Sequence, residues 1–289
     1  MPALTTRRGA TLVELIMSLG LFGVISTAAF ATLAMNQRTH SAIRQNMDLQ
    51  QNMRAAGNLL PAELRELDSP DGDIAAMSAS SLSIRAMRRL AFLCEAPVLG
   101  GVLTGRTLTI GDSPFFGTRA FAANDSIFMF YEGNPELRTD DGWVLGKVTS
   151  VSNKKCADGR DGKQLNLDLN LNGLANAAGA ITIGAPIRGY ERVRYHAYQN
   201  AADGNKYYLG LETANGTQPL VGPLTGSEGL AFTYYDAAGA ATAVTTNVAS
   251  IGVVVKGVTS KPVRKTGGGI GTVTDSIVTR VALRNNRRF

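Results

Sequence analysis

From Ala10 to Met35 the chain runs for 26 residues with a single charged side chain, Glu14. As an α-helix this stretch is roughly 39 Å long, more than the ~30 Å hydrocarbon core of a bilayer. No other segment is apolar enough to span. Arg7 and Arg8 stand before it, which orients the N-terminus to the cytoplasm. Two simple readings are open. A signal peptide would use Arg7 and Arg8 as its basic region and Ala29-Phe30-Ala31 as its cleavage site. A plain membrane anchor explains the length. Neither needs Glu14, and an acidic side chain at mid-bilayer costs about 2.5–3.5 kcal/mol.

A third reading rests on the residues around that carboxylate. The stretch Gly9-Ala10-Thr11-Leu12-Val13-Glu14-Leu15, behind a short basic leader, resembles the cleavage and methylation motif of type IV prepilins and type II secretion pseudopilins. The resemblance implies that a prepilin peptidase cuts after Gly9 on the cytoplasmic side and N-methylates Ala10. The family usually carries Phe or Met at that first mature position, and Ala10 departs from it. The resemblance also makes Glu14 the subunit-assembly residue, paired in a filament with the amine of a neighbouring subunit. The physics is consistent. Ala10 and Glu14 are four apart and share a helix face. A carboxylate near a helix N-terminus is favoured by the dipole. A charge that needs a partner sets the register of an incoming subunit.

Beyond Met35 the apolar pattern narrows without breaking. Leu49, Met53, Ala56, Leu60, Leu64 and Leu67 form one stripe of an α-helix, expected to pack on the protein's own sheet. The turn residues Asp68-Ser69-Pro70-Asp71-Gly72 end it. Unbroken from Ala10 to Leu67, the helix would be roughly 87 Å long. Gly57 and Pro61 are its weak points, with a kink expected near Pro61. The segment from Leu49 to Gly57 and on through Glu63-Leu64-Arg65 resembles, more loosely, the same part of PilW-type minor pilins and J-type pseudopilins. The expected organisation is a leader at 1–9, a membrane helix at 10–35, its amphipathic continuation at 36–68 and a periplasmic β-rich domain at 69–289.

After Ser69 the period changes to two. Strands are expected at Ser81–Arg88, Arg106–Gly111, Ser126–Tyr131, Trp143–Val151, Gln164–Leu169, Gly189–Tyr198, Lys206–Glu212, Gly229–Tyr235, Ala249–Lys256 and Ser276–Arg284. Ala202-Asp203-Gly204-Asn205 reads as a hairpin turn, Tyr235 to Gly239 as another turn, and Lys261 to Thr274 as an exposed loop. One helix followed by many strands predicts an α+β fold with an antiparallel sheet, and the family resemblance makes this a pilin fold. The run from Val278 to Asn286 resembles the closing strand of the PilW- and J-like proteins. Charged residues are only 18% of the 289 residues, with 32 glycines, a composition that leans away from a cytosolic enzyme. Cys94 and Cys156 form no CxxC. In an exported chain they read as one disulfide, in a cytosolic chain as two unrelated thiols. The N-terminus favours export.

The residues of chemistry are sparse. His40 and His196 are the two histidines, too few for a histidine metal cluster, and HExxH, GxSxG and P-loop patterns are absent from the sequence. The glycines from Gly267 to Gly271 lack the strand-to-helix context of a phosphate cradle. Asp71 with Asp73, and Asp158 with Asp161, sit in Gly-containing loops that could suit calcium, but turn chemistry explains them better. Arg192, Arg194, His196 and Tyr198 share one strand face, and Arg280, Arg284, Arg287 and Arg288 add positive charge towards the C-terminus. A net charge of +6 is a weak signal for nucleic acid, and a solvated face or a subunit contact is the plainer account.

These readings predict a structural subunit without a cofactor that catalyses nothing. It would prime or cap a type IV pilus or type II secretion pseudopilus. Its partners would be the prepilin peptidase, sister pilins, the inner-membrane assembly platform and membrane lipid. It would sit in the bacterial inner membrane by a single pass before entering the filament. The alternative from another class is a DNA-uptake or adhesive subunit whose β-domain binds nucleic acid or surfaces. A third reading is an exported enzyme behind a signal peptide.

Overall fold

The computed structural model describes residues 11–99, 106–134, 136–137, 141–169, 181–265 and 268–284. One helix, α1 (Leu12–Arg65), passes without interruption through Gly57 and Pro61. It ends two residues before the expected Leu67, where the Leu67 N–H donates to the Leu64 carbonyl at 3.3 Å. The break expected at Asp68–Gly72 is there. The Asp73 N–H donates to the Asp68 carbonyl at 3.0 Å, and Gly72 takes a positive φ of 78° that suits a residue without Cβ.

The stripe is buried as the spacing requires. Leu49, Met53, Ala56 and Leu67 are at most 4% exposed, and Leu60 and Leu64 are fully covered. Its C-terminal half lies on the sheet through named contacts. The Asn52 amide donates to the Gly222 carbonyl at 2.6 Å. The Arg88 guanidinium donates to both Glu63 oxygens at 2.7 and 3.0 Å. The Arg284 N–H donates to the Arg65 carbonyl at 2.8 Å. Gly57 lies under the last strand: a Cβ there would lie 2.3 Å from Ile277 Cδ1, so the tip of that side chain occupies the space a larger residue would need.

The strands follow in chain order: β1 (Ile74–Met77), β2 (Ser81–Phe92), β3 (Arg106–Gly111), β4 (Phe116–Gly117), β5 (Ser126–Tyr131), β6 (Gly142–Lys155), β7 (Asp161–Leu169) and β8 (Pro186–Asn200). Then come β9 (Lys206–Thr213), β10 (Gly216–Leu224), β11 (Leu230–Tyr235), β12 (Ser250–Val258), β13 (Val263–Arg264), β14 (Ile270–Gly271) and β15 (Thr274–Ala282). All ten expected strands are present, several longer than the alternation suggested. β1, β4, β10, β13 and β14 were not expected. β10 was hidden by Pro219 and Pro223, which remove ladder donors. The structure accommodates them with register shifts against β9 at Pro219/Val221 and Val221/Leu224. The fold is α+β, with one large sheet antiparallel wherever its register is described.

β8 organises that sheet. One of its edges pairs with β2 from Pro186 to His196. Its other edge is shared: β5 takes Ile187 to Tyr190, and β9 takes Arg194 to Asn200. Two arms therefore leave the same edge, β5-β6-β7-β3 and β9-β10-β12-β11. The first arm encloses a core of Leu93, Leu108, Ile110, Ile127, Met129, Val148, Leu165 and Ile187.

The chain divides into two compact units, Met1–Gln51 with Val258–Asp275, and Asn52–Gly257 with Ser276–Phe289. The contacts above lie in the second. In the first, the Lys261 N–H donates to Gln45 Oε1 at 3.1 Å, and β13 pairs with β14. The expected loop from Lys261 to Thr274 is exposed at most of its described positions, and the expectation is corrected only in part. The segment holds a short hairpin, and Val263 is 5% exposed, because apolar residues flank the glycines that suggested a loop.

Leu64→Ala should cost about 2–5 kcal/mol of stability, whereas a change at exposed Ala62 should stay within about 0.5 kcal/mol. Urea unfolding of the full chain in detergent, followed by the fluorescence of Trp143, measures both. Equal midpoints for the two variants would contradict the packing described.

Candidate functional site

Gly9 and Ala10 lie outside the described residues. Thr11, the first described residue, caps the helix. Its N–H donates to Glu14 Oε2 at 3.3 Å, while the Glu14 N–H donates to Thr11 Oγ1 at 3.3 Å. This reciprocal pair is a capping box, which satisfies two of the orphan donors at a helix start. Sequence reasoning missed it, although Thr11-x-x-Glu14 is its signature. Glu14 therefore has a local partner, and the box holds its carboxylate over the residue directly after Ala10.

From Leu12 to Met35 every residue except Ser26 is exposed. The most apolar stretch of this helix is not buried against the rest of the protein. Three of the four hydroxyls between Leu12 and Met35 are turned inward on the backbone: Ser18, Thr27 and Thr32 donate to the carbonyls of Leu15, Val24 and Ala28, each at 2.9 Å. Polar groups satisfied within the helix are what an apolar solvent demands. This segment is long and apolar enough to be a membrane anchor or a signal sequence.

Cys94 and Cys156 are joined in a disulfide, with Cα atoms 5.5 Å apart. Beside it, Glu95 pairs with Lys154 and accepts from the Thr109 hydroxyl at 2.9 Å. The Lys154 and Thr109 bonds hold the Glu95 carboxyl below its ordinary value.

The two candidate calcium loops resolve into turn and ion-pair chemistry. Asp158 pairs with Arg160 at 2.6 Å and Asp161 with Lys155 at 3.1 Å. Among the described residues no cluster of His, Cys, Asp or Glu could hold a metal ion. Asp73 differs from the others. It is 2% exposed, its Oδ2 accepts from the Asp68 N–H at 2.9 Å, and burial pushes its carboxyl up to about 6. Asp68 and Asp71 push it further up, while Arg85 and the Asp68 N–H oppose them. Arg85 lies over the rings of Phe128 and Tyr190 at 5.1 and 5.9 Å, and Arg188 lies 4.5 Å over Trp143. Between these groups is a cavity of about 10 Å³ lined by Asp73, Phe128, Trp143 and Arg188, room for about one water. The cluster fastens the turn after the helix to β5, β6 and β8.

The basic strand face forms as the alternation predicts. Arg192 and Arg194 are exposed while Val193 and Tyr195 between them are buried. Arg194 pairs with Glu212 across β9 at 3.1 Å. Burial and the Arg194 charge hold the His196 imidazole below its ordinary value, against Glu212. Arg280 is committed to the Tyr235 ring at 3.9 Å and to Ser250 at 2.9 Å, and Arg284 to Glu66 at 3.0 Å. His40 is exposed on the helix. Arg287 and Arg288 lie outside the described residues. Much of the positive charge legible in the sequence is thus engaged in holding the fold. Comparison with protein families, with curated proteins and with solved structures finds no match.

Removing the disulfide by Cys94→Ser with Cys156→Ser should cost about 4 kcal/mol in the chain-entropy account. Unfolding in urea with and without reductant measures it, and an unchanged midpoint would refute a stabilising bridge.

Asp73→Asn should stabilise the protein at pH 7.5 by on the order of 2 kcal/mol. The raised carboxyl binds a proton more tightly when folded than when unfolded. It therefore favours folding at low pH and loses that benefit as pH rises from about 4 through about 6. The gain from Asn should close as pH falls across the same window. A gain independent of pH would place the effect elsewhere.

Proposed function

We propose that this chain is a minor pilin or pseudopilin, a subunit that primes or caps a type IV pilus or a type II secretion pseudopilus after prepilin peptidase processing at Gly9–Ala10. The observation that carries the reading is the continuity of α1. Its first half offers an apolar surface on every side, and its last turns bury Met53, Ala56, Leu60 and Leu64 on the β-domain. A helix that is apolar all round belongs in a membrane or in a bundle of like helices. An uninterrupted helix joining that half to the folded domain lets one element anchor the subunit and then enter a filament. A signal-peptidase cut at Ala29-Phe30-Ala31 would fall in the middle of this helix, which favours retention over removal.

Glu14 gains a double role in this reading. Before processing, the capping box satisfies its carboxylate locally. After cleavage the new amine of Ala10 stands one residue away from the box, and the carboxylate is positioned to pair with its own or a neighbour's amine. Pairing in an apolar setting is strong, because water does not screen it. The subunit catalyses nothing in this account. Its work is assembly, with the inner membrane as its first location and sister subunits and the assembly platform as its partners.

Glu14→Gln separates the two roles, since Gln can complete a capping box but carries no charge. The variant should be cut, with Ala10 as the first residue by N-terminal sequencing. It should drop at least about tenfold, roughly 1.4 kcal/mol, in co-purification with sheared filaments. Normal incorporation would reduce Glu14 to a helix cap. A mature N-terminus at Thr32 would end the pilin reading altogether.

A further inference from the structure

The shared edge of β8 leaves a gap. β5 pairs as far as Tyr190 and β9 begins at Arg194. Glu191, Arg192 and Val193 pair with β2 on one side and, among the described residues, have no ladder partner on the other. Three residues of strand span roughly 10 Å. The gap opens into a groove of about 660 Å³, bounded by the start of β5 at Asn124–Ser126 and by the β9–β10 turn at Ala214–Asn215. Past Ser126, Tyr190 and Arg192 it continues into a second hollow of about 500 Å³ that reaches Lys147.

The groove's charge is unbalanced. Four guanidiniums line it against two carboxylates, Asp125 and Glu191. Arg89 and Arg119 share Asp125, at 3.1 and 2.6 Å. Arg88 is held by Glu63 at 2.7 Å, with Glu191 at 3.7 Å. Arg192 is exposed, and among the described residues no carboxylate is paired with it. Fixed guanidiniums around a free one make a preorganised site for a carboxylate.

We propose that this split in the sheet is a docking groove for an acidic, extended segment of a partner protein. Alternate residues of an antiparallel strand turn their N–H and C=O to opposite edges, so within the gap the bare edge of β8 offers the main-chain groups of at most two residues to such a segment, a short form of strand-edge recognition. Arg192 takes one of its carboxylates, and the surplus charge of Arg119 and Lys147 steers its approach. A nucleic acid fits less well. The aromatic ring in the wall, Tyr190, is 7% exposed and unavailable for base stacking.

The test uses the full chain in detergent micelles and a fluorescein-labelled hexaglutamate peptide, read by anisotropy. Binding should be saturable at about 50 mM salt and fall by roughly tenfold or more at about 500 mM, as screening of exposed charges requires. Arg192→Glu should weaken it at least roughly tenfold. Asn215→Trp, which fills the groove without changing charge, should weaken it comparably. Lys256→Glu, at an exposed site on β12, should not. Circular dichroism should match the parent for all three variants. Equal binding of a hexaglutamine peptide would overturn the proposal, as would hexaglutamate binding indifferent to both groove variants. So would a single-stranded DNA that binds through Arg192 while hexaglutamate does not.

Discussion

The structure depends on one apolar contact, the burial of the α1 stripe from Met53 to Leu67 against the sheet. A lone amphipathic helix gains little stability from propensity, and this one contains Gly57 and Pro61. It persists through both because its stripe is covered and its flanks are tied. Glu63 is bound by Arg88, Asn52 by Gly222, and Arg65 by the chain at Arg284. These ties come from β2, β10 and the end of β15, so the contact gathers strands distant in sequence. The same glycine that weakens the helix in isolation leaves the space that the tip of Ile277 occupies.

The sheet answers a geometric problem in a different way. β8 spans Pro186 to Asn200, longer than either strand that shares its second edge. Two arms can leave one strand when each covers part of it, but the junction then exposes main-chain polar groups. Buried, such groups would be costly. At this junction Glu191 and Arg192 line an open, charged groove instead. The ring of Arg88, Arg89 and Arg119 around that junction is held by carboxylates from the helix and from the loop before β5, which makes the gap a shaped feature of the fold.

Much of this architecture was legible in the sequence, for physical reasons that differ by element. The helix stripe was readable because spacings of three and four survive any detail of packing. The break at Asp68–Gly72 was readable because those residues satisfy the backbone locally. The central strands showed through alternation, as in the run Val193, Tyr195 inward and Arg192, Arg194 outward. β10 did not, because Pro219 and Pro223 contradict a strand unless the register shifts. Nor was the Asp73 cluster legible: its neighbours Phe128, Trp143 and Arg188 are far away in sequence, and alternation says nothing of which carboxylate the fold will bury. The β8 gap is topological. Strand ends decide it, and single-sequence patterns locate ends least well. Cys94 and Cys156 were pairable on the argument of export, and their bridge closes the β3 and β7 side of the first arm.

The same distinction governs Glu14. Read from the sequence, its charge in an apolar run was an expense that called for an amine, its own or a neighbour's. The capping box shows that the carboxylate is satisfied where it stands, by the N–H of Thr11. A hydrogen bond to a neutral donor offsets part of the desolvation of a charge, but it does not neutralise it. The box therefore explains how the helix can begin in this sequence without explaining why the residue is an acid, since Gln would cap as well. What remains for the charge is a positive partner close to the helix start, and the amine exposed by cleavage before Ala10 is the group that the proposed processing creates there. In the proposed reading, local capping and pairing with that amine would be successive uses of one carboxylate, the first holding it in place for the second.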